Sequence, residues 1–105
     1  HLKNNGVQHL QSMLLDLAIS SSNIPGKISS LSDLPPSSAL FRYLKALESD
    51  VKAGRLEKQI GKWILEDRPK DKDFSYRLTG KDSKRVLHGF MFLVDAIKGI
   101  QITPN

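Results

Sequence analysis

A chain of 105 residues with 39% hydrophobic content can bury one core but not two, and the absence of cysteine excludes disulfides, thiolate zinc sites and a cysteine nucleophile together. Its longest unbroken apolar run, Phe90 to Val94, falls far short of the ~20 residues that cross a bilayer, which excludes a membrane-spanning helix. The net charge of +5 sits wholly in the second half: residues 1–50 carry four basic and four acidic side chains, and from Val51 onward there are twelve against seven.

Val7, Leu10, Leu14 and Leu17 are spaced three, four and three apart, which predicts a helix over roughly Asn5 to Ser20, its stripe widened by Met13, Leu15 and Ile19. Pro25-Gly26 and Pro35-Pro36 then forbid a long helix between Ser20 and Ser38; Ile24, Ile28, Leu31 and Leu34 anchor that loop, with one helical turn over 29–34. Ser37 or Ser38 offers a capping hydroxyl to a second helix with the stripe Leu40, Leu44, Leu47 and Val51, flanked by Phe41. Gly54 is placed to end it in a left-handed cap; the alternative is a helix continuing through Gly54 at ~1 kcal/mol relative to Ala. Leu56, Ile60, Trp63 and Ile64 restart the period up to about Glu66, and Pro69 stops it. Asp67 to Lys81 reads as a charged, extended loop pinned by Phe74, Tyr76 and Leu78, because a lone strand has nothing to pair with. Asp82 or Ser83 can cap a last helix bearing Val86, Leu87, Phe90, Met91, Val94 and Ile97 and ending near Gly99.

The expected fold is all-α: a small single-domain helical bundle of four to five helices with two long loops, over 1–105, frayed at 1–4 and 100–105. The stripes Leu10/Leu14/Leu17, Leu40/Leu44/Leu47 and Phe90/Val94/Ile97 should pack its core. A first residue His1 instead of Met points to a piece of a longer polypeptide.

Nothing in the chain assembles a reaction, so no enzyme, cofactor or metal is expected. His9 and His88 lack a metal spacing, Asp71 and Asp73 lack the Gly and terminal Glu of a calcium loop, and there is no Gly-rich phosphate loop. The cations are better organised. Arg55, Lys58 and Lys62 share one face of the third helix, and Lys81, Lys84, Arg85 and His88 repeat that spacing at the start of the last, where free helix amides suit a phosphate or carboxylate. A polar face also fills with Lys merely to meet water, and both readings stay open. Phe92, on an unbroken helix, falls near the direction of Lys81, Arg85 and His88, either under a loop or as the apolar contact of a binding site. Trp63 goes with Ile60 and Ile64 into the core, and the aromatics are too few for a base-stacking platform.

The stretches Ala39 to Leu65 (ALFRYLKALESDVKAGRLEKQIGKWIL) and Lys81 to Ile100 (KDSKRVLHGFMFLVDAIKGI), in a small, basic, cysteine-free helical chain, resemble the C-terminal domains of phosphoproteins of non-segmented negative-strand RNA viruses, plant rhabdoviruses in particular. The likeness is of character and not of motif, so no family residue is carried over. It implies a domain that tethers a viral polymerase to its template by binding nucleoprotein wrapped on RNA, in the host cytoplasm. The expected function is therefore a non-enzymatic protein-binding module, monomeric as an isolated domain and without a membrane, that meets an acidic surface through Arg55, Lys58, Lys62, Lys81, Lys84, Arg85, His88 and Phe92. The alternative is direct nucleic-acid binding, with the third helix on a groove or backbone.

Overall fold

Helix α1 (Asn4–Ser22) opens the chain in a computed structural model that describes residues 4–22, 24 and 28–99. Its buried stripe is turned from the expected one. Val7, Leu14, Leu15 and Ala18 are buried together with Gln11, whereas Leu17 is 52% exposed and Met13 lies open beside it. The cause is a partner that helical periodicity does not reveal. Gln11 Nε2 donates to the Tyr43 hydroxyl at 3.1 Å, and that hydroxyl donates to the Gln11 carbonyl at 3.4 Å. A polar side chain satisfied in this way can occupy a core position that periodicity reserves for an apolar one.

Ser22 Oγ donates to the Ala18 carbonyl at 2.6 Å and accepts from the Leu40 N–H at 2.8 Å, which joins the end of α1 to the start of the second helix. Between them the expected helical turn is a 3-10 turn over Leu31–Asp33. Ser30 Oγ accepts from the Ser32 N–H while the Asp33 carboxylate accepts from the N–H groups of Ser29 and Ser30, a reciprocal cap that orders a serine-rich segment. Leu34 is buried, and Ile24, Ile28 and Leu31 pack against the core.

Helix α2 (Ala39–Ser49) is capped by Ser38, whose Oγ accepts from the Phe41 N–H at 3.2 Å. Leu40, Leu44, Leu47 and Val51 are buried as the stripe requires, with Tyr43 and Ala46 beside them. The left-handed residue of the following turn is Lys52, at φ 61°, and not Gly54, which instead opens α3 (Gly54–Lys62). Helix α3 runs into a π turn (Trp63–Asp67) and a 3-10 turn (Arg68–Lys70) that contains Pro69 and ends at left-handed Asp71. Residues 72–79 form neither helix nor strand. Leu78 is buried there, and its N–H donates to Gln8 Oε1 of α1 at 3.2 Å.

The last helix is two: α4 (Gly80–His88) and α5 (Phe90–Lys98), divided at Gly89. Thr79 caps α4, accepting from the Asp82 N–H at 3.1 Å, in place of Asp82 or Ser83. Both of those are buried, and Ser83 Oγ has no hydrogen-bond partner among the described residues. On α5 the fully buried side chain is Leu93, with Phe90, Val94 and Ile97 packed at its flanks. Arg42 of α2 holds the far end of α5: Nε donates to the Ala96 carbonyl at 2.6 Å, Nη2 to the Ile97 carbonyl at 3.5 Å, and Nη1 to the Ser37 carbonyl. A guanidinium at a helix C-terminus satisfies carbonyls that lack intrahelical partners and opposes the helix dipole.

The fold is thus an all-helical bundle of five helices, with no strand among the described residues. Helix α2 packs on α1, α3 and α5, and α1 also meets α4 and α5. The fraying expected at residues 1–3 and 100–105 lies outside the described residues, and Asn4 already belongs to α1.

At the α2–α3 joint, Glu48 and Glu57 line one depression with Leu31, Leu34, Phe41 and Leu44. Partial burial, and then the charge and hydrogen bond of Glu48, push the Glu57 carboxyl above its usual range, against the opposing pull of Lys58. A raised carboxyl pKa in the folded state means that stability is lost as pH rises through the carboxylate range. Glu57→Gln should therefore be more stable than the parent chain at neutral pH, by under about 1 kcal/mol since both groups still touch water, and the difference should vanish on acidification. Thermal melts at pH 7 and below pH 4 check this.

Candidate functional site

The two basic helical faces meet at one place. Arg55 of α3 and Lys81 and Arg85 of α4 line a single open depression of about 670 Å³, together with Thr79, Gly80 and Asp82. Arg55 arrives there because Lys52 turns the chain sharply between α2 and α3, and Arg85 is held by donating through Nη1 to the Lys52 carbonyl at 3.0 Å. The one carboxylate in the depression faces inward. Asp82 is 5% exposed, and its Oδ2 accepts from the Tyr76 hydroxyl at 3.2 Å. Burial and the adjacent Asp82 raise the Tyr76 phenol above its ordinary range while Arg55 pulls the other way, so the hydroxyl stays a donor to that carboxylate. Arg55, Lys81 and Arg85 pair with no carboxylate among the described residues. At the same spot the first turn of α4 presents amides without intrahelical acceptors.

The other expected site residues fall elsewhere. Lys58, Lys84 and His88 are exposed on the same two helices but outside this depression. Lys62 borders a different one. Phe92, 52% exposed, is carried by the break at Gly89 onto a groove of about 690 Å³ between α2 and α5, among Phe41, Arg42, Lys45 and Asp95. An unbroken helix would have kept it in line with Arg85 and His88; the break separates the aromatic from the cations.

The depression beside Lys62 is built from a row of rings. Trp63 and Phe74 have centroids 5.6 Å apart at 59°, and Phe74 and Tyr76 lie 6.2 Å apart at 34°. Phe74 and Tyr76 share a side because side chains two apart on an extended chain point the same way. Trp63 Nε1 donates to the Lys72 carbonyl at 2.7 Å, which fastens the loop to the end of α3. The three rings, all half-buried, border a space of about 270 Å³ with Gln59, Lys62, Asp67, Lys72 and Asp73. Trp63 packs on the core from its edge and does not enter it. A count of aromatics by type misses this row; the sign of it in the sequence is the Phe74-x-Tyr76 alternation a short way after Trp63, which directly follows α3.

These arrangements suit recognition of a negative or planar group. Among the described residues no cluster of three or more His, Asp or Glu is placed to hold a metal ion, and no helix is long and apolar enough to cross a membrane. No protein-family model matches the chain, nor does any curated protein or solved structure.

Proposed function

We propose that this domain is a non-enzymatic adaptor that binds an acidic protein surface, with nucleoprotein assembled on RNA as the partner, through the face shared by α3 and α4. The observation that carries it is the convergence of Arg55, Lys81 and Arg85, from two helices, on one concave spot where none is paired with a carboxylate among the described residues. Cations left unneutralised repel one another, and such an arrangement is relieved by an anionic group docking between them. The partner's class comes from the resemblance in character to phosphoprotein C-terminal domains; charge alone selects only its sign. Lys58, Lys84 and His88 stay exposed on the same two helices outside the depression, where charges raise the association rate more than they slow dissociation.

The test is capture of the domain by nucleoprotein–RNA assemblies, and by a synthetic polyglutamate peptide, before and after replacing Arg55, Lys81 and Arg85 together by Glu. Circular dichroism confirms that the variant folds. Affinity for both should fall on the order of 100-fold, and the pair Lys58→Glu and Lys84→Glu should lower it far less. Unchanged capture by the triple variant rules the proposal out. So does tight binding of duplex DNA or RNA with a log–log salt slope of roughly 0.9 per phosphate neutralised, which favours a direct nucleic-acid binder.

A further inference from the structure

The row Trp63–Phe74–Tyr76 has no role in the acidic-surface reading, and it combines two features that one ligand chemistry requires. Its rings are half-buried, which leaves part of each open to solvent, and Phe74 and Tyr76 stand within 34° of parallel. Around them are cations, Lys62 and Lys72, and on the same rim two carboxylates, Asp67 and Asp73. An acidic peptide carries no planar ring to cover the row and no amine for the carboxylates to accept from. A lipid surface would need apolar side chains standing out from the face, and here they lie packed against each other.

We infer that this depression is a base-binding site for single-stranded RNA, in which a nucleobase stacks on the Trp63–Phe74–Tyr76 row, its phosphates lie toward Lys62 and Lys72, and Asp67 or Asp73 accepts from the base's exocyclic amine. Base-on-ring stacking tolerates any base, because every base has a π face, while a carboxylate at the edge discriminates. Adenine and cytosine present an amine to such an acceptor; uracil presents none. The site goes beyond the acidic-surface proposal and does not rest on it, and the two positions are joined through Tyr76, which closes the aromatic row and donates to Asp82 in the wall of the basic depression.

Trp63 is the single tryptophan of the chain, so tryptophan emission, excited at a wavelength the tyrosines do not absorb, reports this site alone. The domain is titrated with short single-stranded oligo(A), oligo(C) and oligo(U) RNA, with a duplex of equal length, with inorganic phosphate and with polyglutamate. Oligo(A) and oligo(C) should quench the emission saturably, with oligo(U) on the order of tenfold weaker and the remaining three inert. Phe74→Leu should weaken binding about tenfold. Asp73 is exposed, so Asp73→Ala leaves the core untouched even where Phe74→Leu fails to fold; together with Asp67→Ala, which removes the second acceptor, it should erase the preference over oligo(U). The Arg55, Lys81 and Arg85 triple variant should quench normally, which separates a failure here from a failure of the acidic-surface proposal. Absence of quenching by any single strand, quenching of equal size by duplex or phosphate, quenching by polyglutamate in place of RNA, or a base preference that survives loss of both carboxylates each overturns the inference.

Discussion

Gly89→Ala is expected to destabilise the domain by about 2 kcal/mol and to lower Tm by roughly 10 °C, although Ala is the better helix former. The backbone does not demand glycine here: φ −98° and ψ 16° are open to any residue. At such a position the loss of unfolded-chain entropy favours Ala by roughly 0.4–1 kcal/mol. Against that stands a Cβ that would sit 2.7 Å from Val51 Cγ2 and 3.3 Å from both Val51 Cα and the Arg85 carbonyl oxygen. One side chain cannot relieve this, because two of the three atoms are backbone, so the turn after α2 that carries Val51 must move away from the α4–α5 junction. Overpacking of this kind typically costs 1–3 kcal/mol and outweighs the entropy gain. Val51→Ala removes the nearest atom, and the double variant should lie at least ~0.5 kcal/mol above the sum of the single effects. Thermal melts of the four proteins decide it: a Gly89→Ala chain as stable as its parent means that close approach of α2 does not enforce the helix break.

The second large effect lies in the buried pair. Tyr43→Phe keeps the ring and removes the oxygen that accepts from Gln11 Nε2, stranding an amide donor at a residue 1% exposed. A buried donor without a partner costs ~1–3 kcal/mol, whereas removing both polar groups together can be nearly neutral. Tyr43→Phe should therefore be about 2 kcal/mol less stable in urea or thermal unfolding, and adding Gln11→Leu should restore most of the loss. If Tyr43→Phe alone is neutral, the pair does not hold Gln11 in the core. The same hydroxyl sets an alkaline limit. Burial raises the Tyr43 phenol well above its ordinary range, so beyond about pH 10 the unfolded chain gives up this proton first. Stability present below that pH is lost as pH rises further. Tyr76 contributes with the same sign but remains in the variant, so a steeper alkaline loss in the parent than in Tyr43→Phe isolates Tyr43.

What periodicity could read, and what it could not, divides along local and tertiary causes. The start and the apolar stripe of α2 were legible, because Ser38 and Leu40, Leu44, Leu47 and Val51 lie in one continuous segment and need no distant residue to explain them, although the helix ends at Ser49 and not at Gly54. The α1 stripe was misplaced because Gln11 owes its burial to Tyr43, 32 residues away. The left-handed turn before α3 was assigned to Gly54 on residue type, yet the chain places Lys52 there, a conformation that non-glycine residues adopt only at some cost. The break at Gly89 answers to Val51, again a distant partner. The same division governs the candidate site. Spacing alone grouped Arg55 with Lys58 and Lys62, and Lys81 with Arg85. Only the fold selects Arg55, Lys81 and Arg85 as the three that face one another, sends Phe92 to another groove, and gathers three rings from separate segments into a row.

The bond from Arg85 to the Lys52 carbonyl bears on how recognition would proceed in time. A free arginine surrenders rotamer freedom when it grips a ligand, by about 0.5–1.5 kcal/mol per immobilised side chain, and Arg85 has already given up part of it on folding. Under the proposed function a partner would meet one tethered cation beside two, Arg55 and Lys81, whose side chains make no hydrogen bond among the described residues. The tethered charge would then set the register of the encounter and Arg55 and Lys81 would close after it, so that Lys52, through its backbone alone, would help determine the dissociation rate.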